Sequence, residues 1–298
     1  MLYLSMTSWI VGIDEAGRGP VLGPMVLCAC AVPLEKMEAL ARLGVKDSKM
    51  LTPQQREGLV EGIRKLCAVE VVISPPSEID SAVLTKGDSL NLLEARHSAE
   101  LINKIGARRT IEKAVIDCPS TNIPAYTKTI EKMLKKETHL LCEYKADANH
   151  PIVAASSIIA KVTRDAEIAR IREMLGEEIG SGYPADPLTA SWLRANYTRP
   201  HGFVRKSWSS VQNLVNKNAQ RGLFEFAPEH KAEVAEFEAL LAHGFRFEEP
   251  HAHEVVRMKG PGELPVTIIK FTTGKLLVQG ADAAKKRAHA LLQSVGLQ

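Results

Sequence analysis

The sequence contains few cysteines and no long apolar run, and these absences exclude several classes of protein. Its five cysteines form no C-x-x-C pair, which argues against a zinc site and fits a reducing compartment. No apolar run approaches the roughly 20 residues that a membrane-spanning helix needs. The first residues lack the basic and apolar regions of a secretory signal. We therefore expect a cytoplasmic protein that does not cross a membrane.

The net charge is also small, and the histidines form no metal-binding motif. The chain has 38 Lys and Arg against 35 Asp and Glu, and a net charge of +3 does not by itself indicate a nucleic-acid partner. The nine histidines show no H-E-x-x-H or comparable spacing, so none is a strong candidate for a metal ligand. Hydrophobic residues make up 45% of the chain, which is typical of a globular protein with a substantial core.

The most informative stretch begins at Trp9 with WIVGIDEA. Its apolar residues up to Ile13 predict a buried strand that ends in two adjacent carboxylates, Asp14 and Glu15. Neighbouring side chains of a regular strand point to opposite faces, so the two acids can share one site only if the strand breaks at once.

The residues that follow supply this break. Gly17 and Gly19 flank Arg18, and Pro20 follows them, so the strand cannot continue easily. Glycines also leave backbone N–H groups uncovered, which suits contact with a phosphate or a sugar edge. A charged turn after a hydrophobic strand is the alternative, and it is weakened by two further acids downstream.

The two further acids are Asp117 and Asp147, and each lies next to the end of a predicted strand or helix. Asp117 ends the short apolar run KAVID, and Asp147 lies just before a predicted helix that begins near Pro151 and extends to about Leu175. A helix dipole favours a negative charge at that end, so a solvated acid at a helix start is the alternative for Asp147.

Apolar runs and helical patterns alternate along the first two thirds of the chain. Strands are predicted at residues 25–32, 68–73, 113–117 and 139–144, and the first of these pairs with the opening strand as an antiparallel hairpin. Right-handed crossovers make the later strands parallel to the opening one. We therefore predict an α/β domain with a mixed five-stranded sheet, flanked by helices. Asp14 and Asp117 then lie at the carboxyl ends of strands, where sites in such sheets gather.

Carboxylates brought together in this way suit Mg²⁺ or Mn²⁺, which bind oxygen ligands and substrate phosphates. Two divalent ions close together could clamp both the attacking and the leaving oxygen of an in-line displacement. The four acids and the neighbouring glycine turn therefore indicate phosphodiester chemistry.

Several motifs, in this order, resemble ribonuclease HII, the type 2 ribonuclease H. They are GIDEAGRGPVLGPMV, DSK at 47–49, VID ending at 117, KADANHPIVAASSIIAKVTRD at 145–165, GSGYPADP at 180–187 and FVRKSW at 203–208. The resemblance covers about residues 8–215 and is stronger to the archaeal and eukaryotic branch. It implies a ribonuclease H-like fold and a divalent-metal endonuclease that cleaves RNA in RNA/DNA hybrids. It also implies cleavage on the 5′ side of a ribonucleotide embedded in duplex DNA, leaving 3′-hydroxyl and 5′-phosphate ends.

The resemblance also implies roles for individual residues. The catalytic metal ligands are Asp14, Glu15, Asp117 and Asp147. Gly17, Arg18 and Gly19 form the element that contacts the 2′-hydroxyl, Tyr183 stacks on the following deoxyribose, and Lys49 and Asn91 lie near substrate phosphates. One departure is His150, where the family commonly has a tyrosine, and it puts the local packing beside Asp147 in question.

Composition changes near Phe224. We divide the chain into a catalytic domain of residues 1–223, a helical connector of residues 224–250 and a small basic α+β domain of residues 251–298. In the last domain, strands are predicted at 254–259, 266–272 and 275–279, and a helix at 283–295. VTIIKFTTGKLLVQG, at 266–280, is similar to the hairpin of the TATA-binding-protein-like substrate-binding module of type 3 ribonucleases H.

The positive charge of the chain is concentrated in this C-terminal domain. From His251 onward there are seven Lys and Arg against three Asp and Glu, a net +4, so the rest of the chain totals −1. We expect the domain to raise affinity for a duplex through phosphate contacts, with a basic solubilising surface as the alternative. We expect the protein to be a monomer.

Two other functional classes stay open from the sequence. A different metal-dependent phosphotransferase could use the same carboxylates, and its activity on non-hybrid nucleic acids would distinguish it. A non-catalytic nucleic-acid-binding module is the other, although four clustered acids are costly to keep together without a cation.

Overall fold

The computed structural model describes residues 7–46, 48–199, 201–215, 235–248, 250–251 and 253–297. Asp47 of the DSK motif and residues 224–234 of the predicted connector lie outside these ranges. By their internal contacts the residues form two compact units, one ending at Gln212 and the other beginning at Asn213. No helix within the described ranges is both long and apolar enough to cross a membrane.

The sheet of the first unit opens with the predicted hairpin. Strand β1 (Ser8–Ala16) pairs antiparallel with β2 (Met25–Pro33), which pairs antiparallel with β3 (Ala68–Ser74). On the other side of β1, β4 (Thr110–Asp117) runs parallel to it, and β5 (His139–Glu143) runs parallel to β4. The strand order β3-β2-β1-β4-β5 confirms the prediction of a mixed five-stranded sheet.

Helices flank this sheet, and several begin where the sequence signals them. Thr52 followed by Pro53 is a typical helix start, and Thr52 caps this helix, because its hydroxyl accepts from the N–H of Gln55 while the Gln55 side chain accepts from the N–H of Thr52. The helices of the first unit are α1 (Met37–Arg42), α2 (Pro53–Leu66), α3 (Pro76–Leu84), α4 (Leu90–Gly106), α5 (Ile123–Glu131), α6 (Ala146–Asn149), α7 (Pro151–Leu175) and α8 (Pro187–Asn196). Short 3₁₀ helices occupy Leu34–Lys36 and Ser48–Met50.

The long helix α7 packs against β1 and β2 at very short range. A Cβ atom on Gly12 would lie 2.5 Å from the backbone carbon and oxygen of Ile152, so no side chain fits there. Ser156 fixes the same contact, since its hydroxyl donates to Gly12 O at 2.8 Å and accepts from Cys30 N at 3.0 Å. The position of α7 is therefore fixed against the strands that end in the predicted site.

The start of α7 differs from the prediction in one respect. Asp147 does not directly precede α7 but lies within the separate short helix α6. The break follows from Pro151, which has no N–H and which disfavours the helical region for the residue before it. His150 is accordingly extended, with φ −124° and ψ 111°.

The second unit contains an antiparallel sheet and one long helix. Its strands β6 (Arg246–Glu248), β7 (Glu254–Lys259), β8 (Val266–Phe271) and β9 (Leu276–Gly280) are hydrogen-bonded in chain order. The 3₁₀ helix Glu238–His243 precedes them, and α9 (Asp282–Ser294) follows and buries Ala284, Ala288 and Leu292. The predicted small α+β domain is thus present, and its sheet begins at β6, inside the segment assigned to the connector.

Candidate active site

Three of the four predicted acids converge at the carboxyl ends of β1 and β4. Asp14 and Glu15 lie near the end of β1, and Asp117 is the last residue of the parallel neighbour β4. One carboxylate oxygen of each lies within 4.8 Å of the others. Among the described residues this is the group of side chains that could hold a metal ion.

Asp14 is the most enclosed of the three, with 5% of its surface exposed. Its Oδ1 accepts from the N–H of Glu15 at 2.7 Å, and it is hydrogen-bonded to the hydroxyl of Ser157 on α7. Burial, followed by the negative charge of Glu15, nevertheless holds the pKa of Asp14 well above its usual range. The two hydrogen bonds therefore do not offset the loss of hydration and the repulsion by Glu15.

Glu15 is in a similar situation. Burial raises its pKa to about 8, and the negative charges of Glu94 and Asp117 contribute. Three carboxylates within one small volume repel each other unless a cation lies between them, and oxygen ligands alone match the preference of Mg²⁺ and Mn²⁺. The group therefore fits a hard divalent ion.

The fourth predicted acid, Asp147, lies outside this group of three, but the residue before it is bonded to a member of the group. It is buried, with 5% exposed, and the preceding residue Ala146 donates its N–H to Asp117 Oδ1 at 3.0 Å. Helix α6 is thereby attached to the end of β4. The unusual His150 places its Nε2 2.7 Å from a carboxylate oxygen of Glu143, so this position has a defined partner on β5.

The glycine turn lies directly after the acids. Gly17 has φ +87°, which favours glycine, and a Cβ atom there would approach Pro24 O to 2.7 Å. The side chain of Arg18 donates to Asn91 Oδ1 at 2.6 Å and also to a carboxylate oxygen of Glu94. The predicted residues Arg18 and Asn91 are thus brought into direct contact.

Glu94 also lies at this site, although it was not predicted from the sequence. It is 1% exposed on α4, and burial raises its pKa to about 7 although Arg18 acts in the opposite direction. An acid three positions after Asn91, on the apolar stripe formed by Leu93 and Leu101, was the available signal. Its partner, 76 residues earlier in the chain, was not predictable from spacing.

Tyr183 lies beside the glycine turn. A Cβ atom on Gly19 would be 3.6 Å from Cε1 of Tyr183, whose side chain is 39% exposed. The preceding residue Gly182 accepts hydrogen bonds from the N–H groups of Val21 (2.8 Å) and Leu22 (3.2 Å). The two predicted recognition elements are therefore neighbours, joined through their backbones.

Lys49 lies in the 3₁₀ helix Ser48–Met50 and is exposed. The hydroxyl of Ser48 is 2.9 Å from that of Ser157, which in turn contacts Asp14. This chain of contacts ties the Lys49 segment to the acidic group.

The mixed sheet and the acids at the ends of its central strands define a ribonuclease H-like fold. The family model described as Ribonuclease HII matches residues 11–211. The chain belongs to the ribonuclease HII family, as the sequence motifs predicted, and it is a hydrolase. The match includes no residue of the second unit.

Curated and solved relatives agree with this assignment. Ribonuclease HII of Methanocella arvoryzae is 41% identical over 224 residues, which cover 74% of this chain and 97% of the relative. The crystal structure of ribonuclease H2 from Pyrococcus horikoshii OT3 has a TM-score of 0.64 at 37% identity, covering 70% of this chain and 98% of that one. A structure of the PCNA:RNase HII complex from Archaeoglobus fulgidus has a TM-score of 0.61 at 37% identity, covering 69% and 96%.

Proposed function

We propose that this protein is an endoribonuclease that hydrolyses the RNA strand of RNA/DNA hybrids and also cuts duplex DNA on the 5′ side of an embedded ribonucleotide. The products are a 3′-hydroxyl and a 5′-phosphate. One observation carries the proposal: the three clustered acids, which suit divalent cations, lie next to the glycine turn, and the exposed Tyr183 lies beside this turn.

In this proposal Asp14, Glu15, Asp117 and Asp147 hold two divalent ions, Mg²⁺ or Mn²⁺. Bound ions would supply a nucleophilic water and would stabilise the leaving oxygen of the phosphodiester. The protein contributes the arrangement of its acids, which β1, β4 and α6 present from a rigid sheet edge. The hydrogen bonds from Ser157 and Ala146 fix the orientation of the Asp14 and Asp117 carboxylates.

Recognition of a ribonucleotide requires contact with its 2′-hydroxyl, because this group is what distinguishes the sugar from deoxyribose. Gly17, Arg18 and Gly19 present backbone groups at close range, since two of the three have no side chain. Tyr183 is close enough to Gly19 to stack on the next sugar, where a deoxyribose avoids crowding.

The remaining predicted residues support substrate binding. Lys49 is exposed and provides a positive charge for a phosphate. Asn91 binds the Arg18 side chain through its amide oxygen, so its contribution to phosphate binding comes together with that of Arg18. We further propose that the protein acts as a cytoplasmic monomer and that its second unit contacts the duplex.

A cleavage assay tests the function. The substrates are a DNA duplex with a single ribonucleotide, a continuous RNA/DNA hybrid and an all-DNA duplex, each with Mg²⁺, Mn²⁺ or a chelator. We expect metal-dependent cleavage of the first two substrates only, with the cut on the 5′ side of the ribonucleotide and a 3′-hydroxyl end that a polymerase can extend. Cleavage of the all-DNA duplex, or 2′,3′-cyclic phosphate ends, would contradict the proposal.

A further inference from the structure

Two buried arginines lie beneath the glycine turn. Arg164 on α7 is 1% exposed, and Arg205 in the FVRKSW segment is 0% exposed. A guanidinium that leaves water is costly unless its N–H groups find acceptors. Burial and the nearby charge of Arg164 lower the pKa of Arg205 to about 9, so the two cations also repel each other. Their contacts therefore need an explanation.

Arg205 binds the carbonyl groups of the turn. Its terminal nitrogens donate to Arg18 O at 2.9 Å and to Gly17 O at 2.5 Å. Its Nε donates to Gly23 O at 3.0 Å, on the far side of the turn. One planar fork thus binds three carbonyls, which the single ammonium of a lysine does not match in geometry.

These bonds determine where the amide groups point. In a trans peptide the C=O of one residue and the N–H of the next lie on opposite sides. With the carbonyls of Gly17 and Arg18 directed at Arg205, the N–H groups of Arg18 and Gly19 point away from it. Among the described residues neither N–H donates a hydrogen bond, so both are free for a ligand.

The segment that carries Arg205 is itself anchored. Asp80 at α3 accepts from the backbone N–H groups of Lys206 and Ser207, both at 2.9 Å, and from the Ser207 hydroxyl at 2.6 Å. The position of Arg205 is therefore fixed by the bonds of its neighbours to Asp80, and Arg205 in turn fixes the position of the glycine turn.

Arg164 connects the turn to the tyrosine. Its Nη2 donates to Ser181 O at 2.7 Å, and its guanidinium lies 5.2 Å from the centre of the Tyr183 ring. A Cβ atom on Gly17 would come within 3.2 Å of Arg164 Cγ, and one on Gly182 within 2.9 Å of its Nη2. The arginine thus fills the space between the turn and the tyrosine loop.

We propose that Arg164 and Arg205 are positioning residues for ribonucleotide recognition, and that neither touches the substrate. Arg205 orients the amides of Arg18 and Gly19 toward the 2′-hydroxyl. Arg164 sets the position of Tyr183 relative to Gly19. The inference rests on the proposed function of the turn and of Tyr183, and it adds the residues that make both rigid.

The test uses Arg164→Lys and Arg205→Lys in the full chain, which keep the charge but lose the fork. For Arg164→Lys we expect the ratio of kcat/KM on the single-ribonucleotide duplex to that on the continuous hybrid to fall by about tenfold. This is the size of effect expected when one charged hydrogen bond, which orders the Tyr183 loop, is lost. Both activities come from one preparation, so the ratio does not depend on the folded fraction. For Arg205→Lys we expect a higher KM on both substrates with a smaller change in kcat.

Arg172→Lys is the matched control. Arg172 also lies on α7 and donates to a carbonyl of the same loop, Gly180 O at 2.6 Å, but its side chain is 39% exposed and does not meet the tyrosine. We expect its substrate ratio to equal that of the wild type. Equal ratios for the wild type, Arg164→Lys and Arg172→Lys would overturn the role of Arg164, and an unchanged KM in Arg205→Lys would overturn that of Arg205. Wild-type protein that leaves the single ribonucleotide uncut would overturn the proposed function itself, and this inference with it.

Discussion

The two units differ in how deeply their charged side chains are buried. In the first unit Asp14, Glu94, Asp147, Arg164 and Arg205 are all buried. In the described part of the second unit the buried residues are hydrophobic, and its most enclosed ion pair, Glu254 with Arg257, keeps 8% and 19% of the two side chains exposed. Buried charges interact strongly and tolerate little change, whereas exposed ones are screened by water and salt. Substitutions should therefore have large, salt-independent effects in the first unit and small, salt-dependent ones in the second.

The largest effect is expected at the acidic group. Asp14→Asn and Asp117→Asn should each lower kcat by orders of magnitude at saturating Mg²⁺, because residues that act as one unit fail together. Metal-free thermal stability should stay the same or increase, since the substitution removes like-charge repulsion. Glu112→Gln, an exposed acid on β4, is the control and should keep full activity. Near wild-type turnover of either Asp variant would contradict the proposed catalytic role of the acidic group.

A smaller but more selective loss is expected at Tyr183. Tyr183→Ala should lose most cleavage at a single embedded ribonucleotide while it retains more activity on a continuous hybrid, because stacking concerns only the junction with deoxyribose. Tyr183→Phe keeps the ring and should stay close to wild type. Equal losses on both substrates would show that the tyrosine supports the active site in general.

The pH dependence of stability sharpens the same contrast. Glu15 has a pKa raised from 4.5 to about 8, and that of Asp14 is raised as well, so the folded protein holds protons that the unfolded chain has released. The metal-free protein should therefore lose stability as the pH rises from about 4.5 to about 8, and Mg²⁺ should restore it. Thermal unfolding at both ends of this window, with and without chelator, measures the effect. Glu15→Gln should flatten the dependence, and an equally steep curve would exclude Glu15 as its source.

The smallest effect is expected in the second unit. Lys286 and Arg287 are exposed on α9. Replacing both with Glu should weaken duplex binding a few-fold and reduce its salt dependence, with the cleavage position unchanged. Replacing both with Gln, which changes the charge by half as much, should give an intermediate result. Unaltered affinity and salt dependence in both double variants would leave this helix without a part in duplex binding.

Local patterns in the sequence were sufficient for much of the fold. The hairpin of β1 and β2 and the end of α7 each depend on a few neighbouring residues, and each was predicted. The acids at strand ends could also be placed, because parallel strands align their carboxyl ends.

What escaped prediction depends on contacts between distant segments. Glu94 meets Arg18 across 76 residues, and Arg205 meets Gly17 across 188. Nothing in the spacing of FVRKSW indicates that its arginine binds the carbonyls of a turn near the other end of the unit. Such contacts are determined by packing in three dimensions.

Helix α7 carries both Ser157, which contacts Asp14, and Arg164, which supports Tyr183. These residues are seven positions apart, nearly two full turns, so they lie on one side of the helix and roughly 10 Å apart along its axis. In the proposed function, the distance between the acids that hold the metal ions and the tyrosine that contacts the sugar is thereby set by one helix. Loops elsewhere in the chain can lengthen or shorten without changing this distance. A single residue inserted between Ser157 and Arg164 would rotate one of them about the helix axis by about 100° relative to the other.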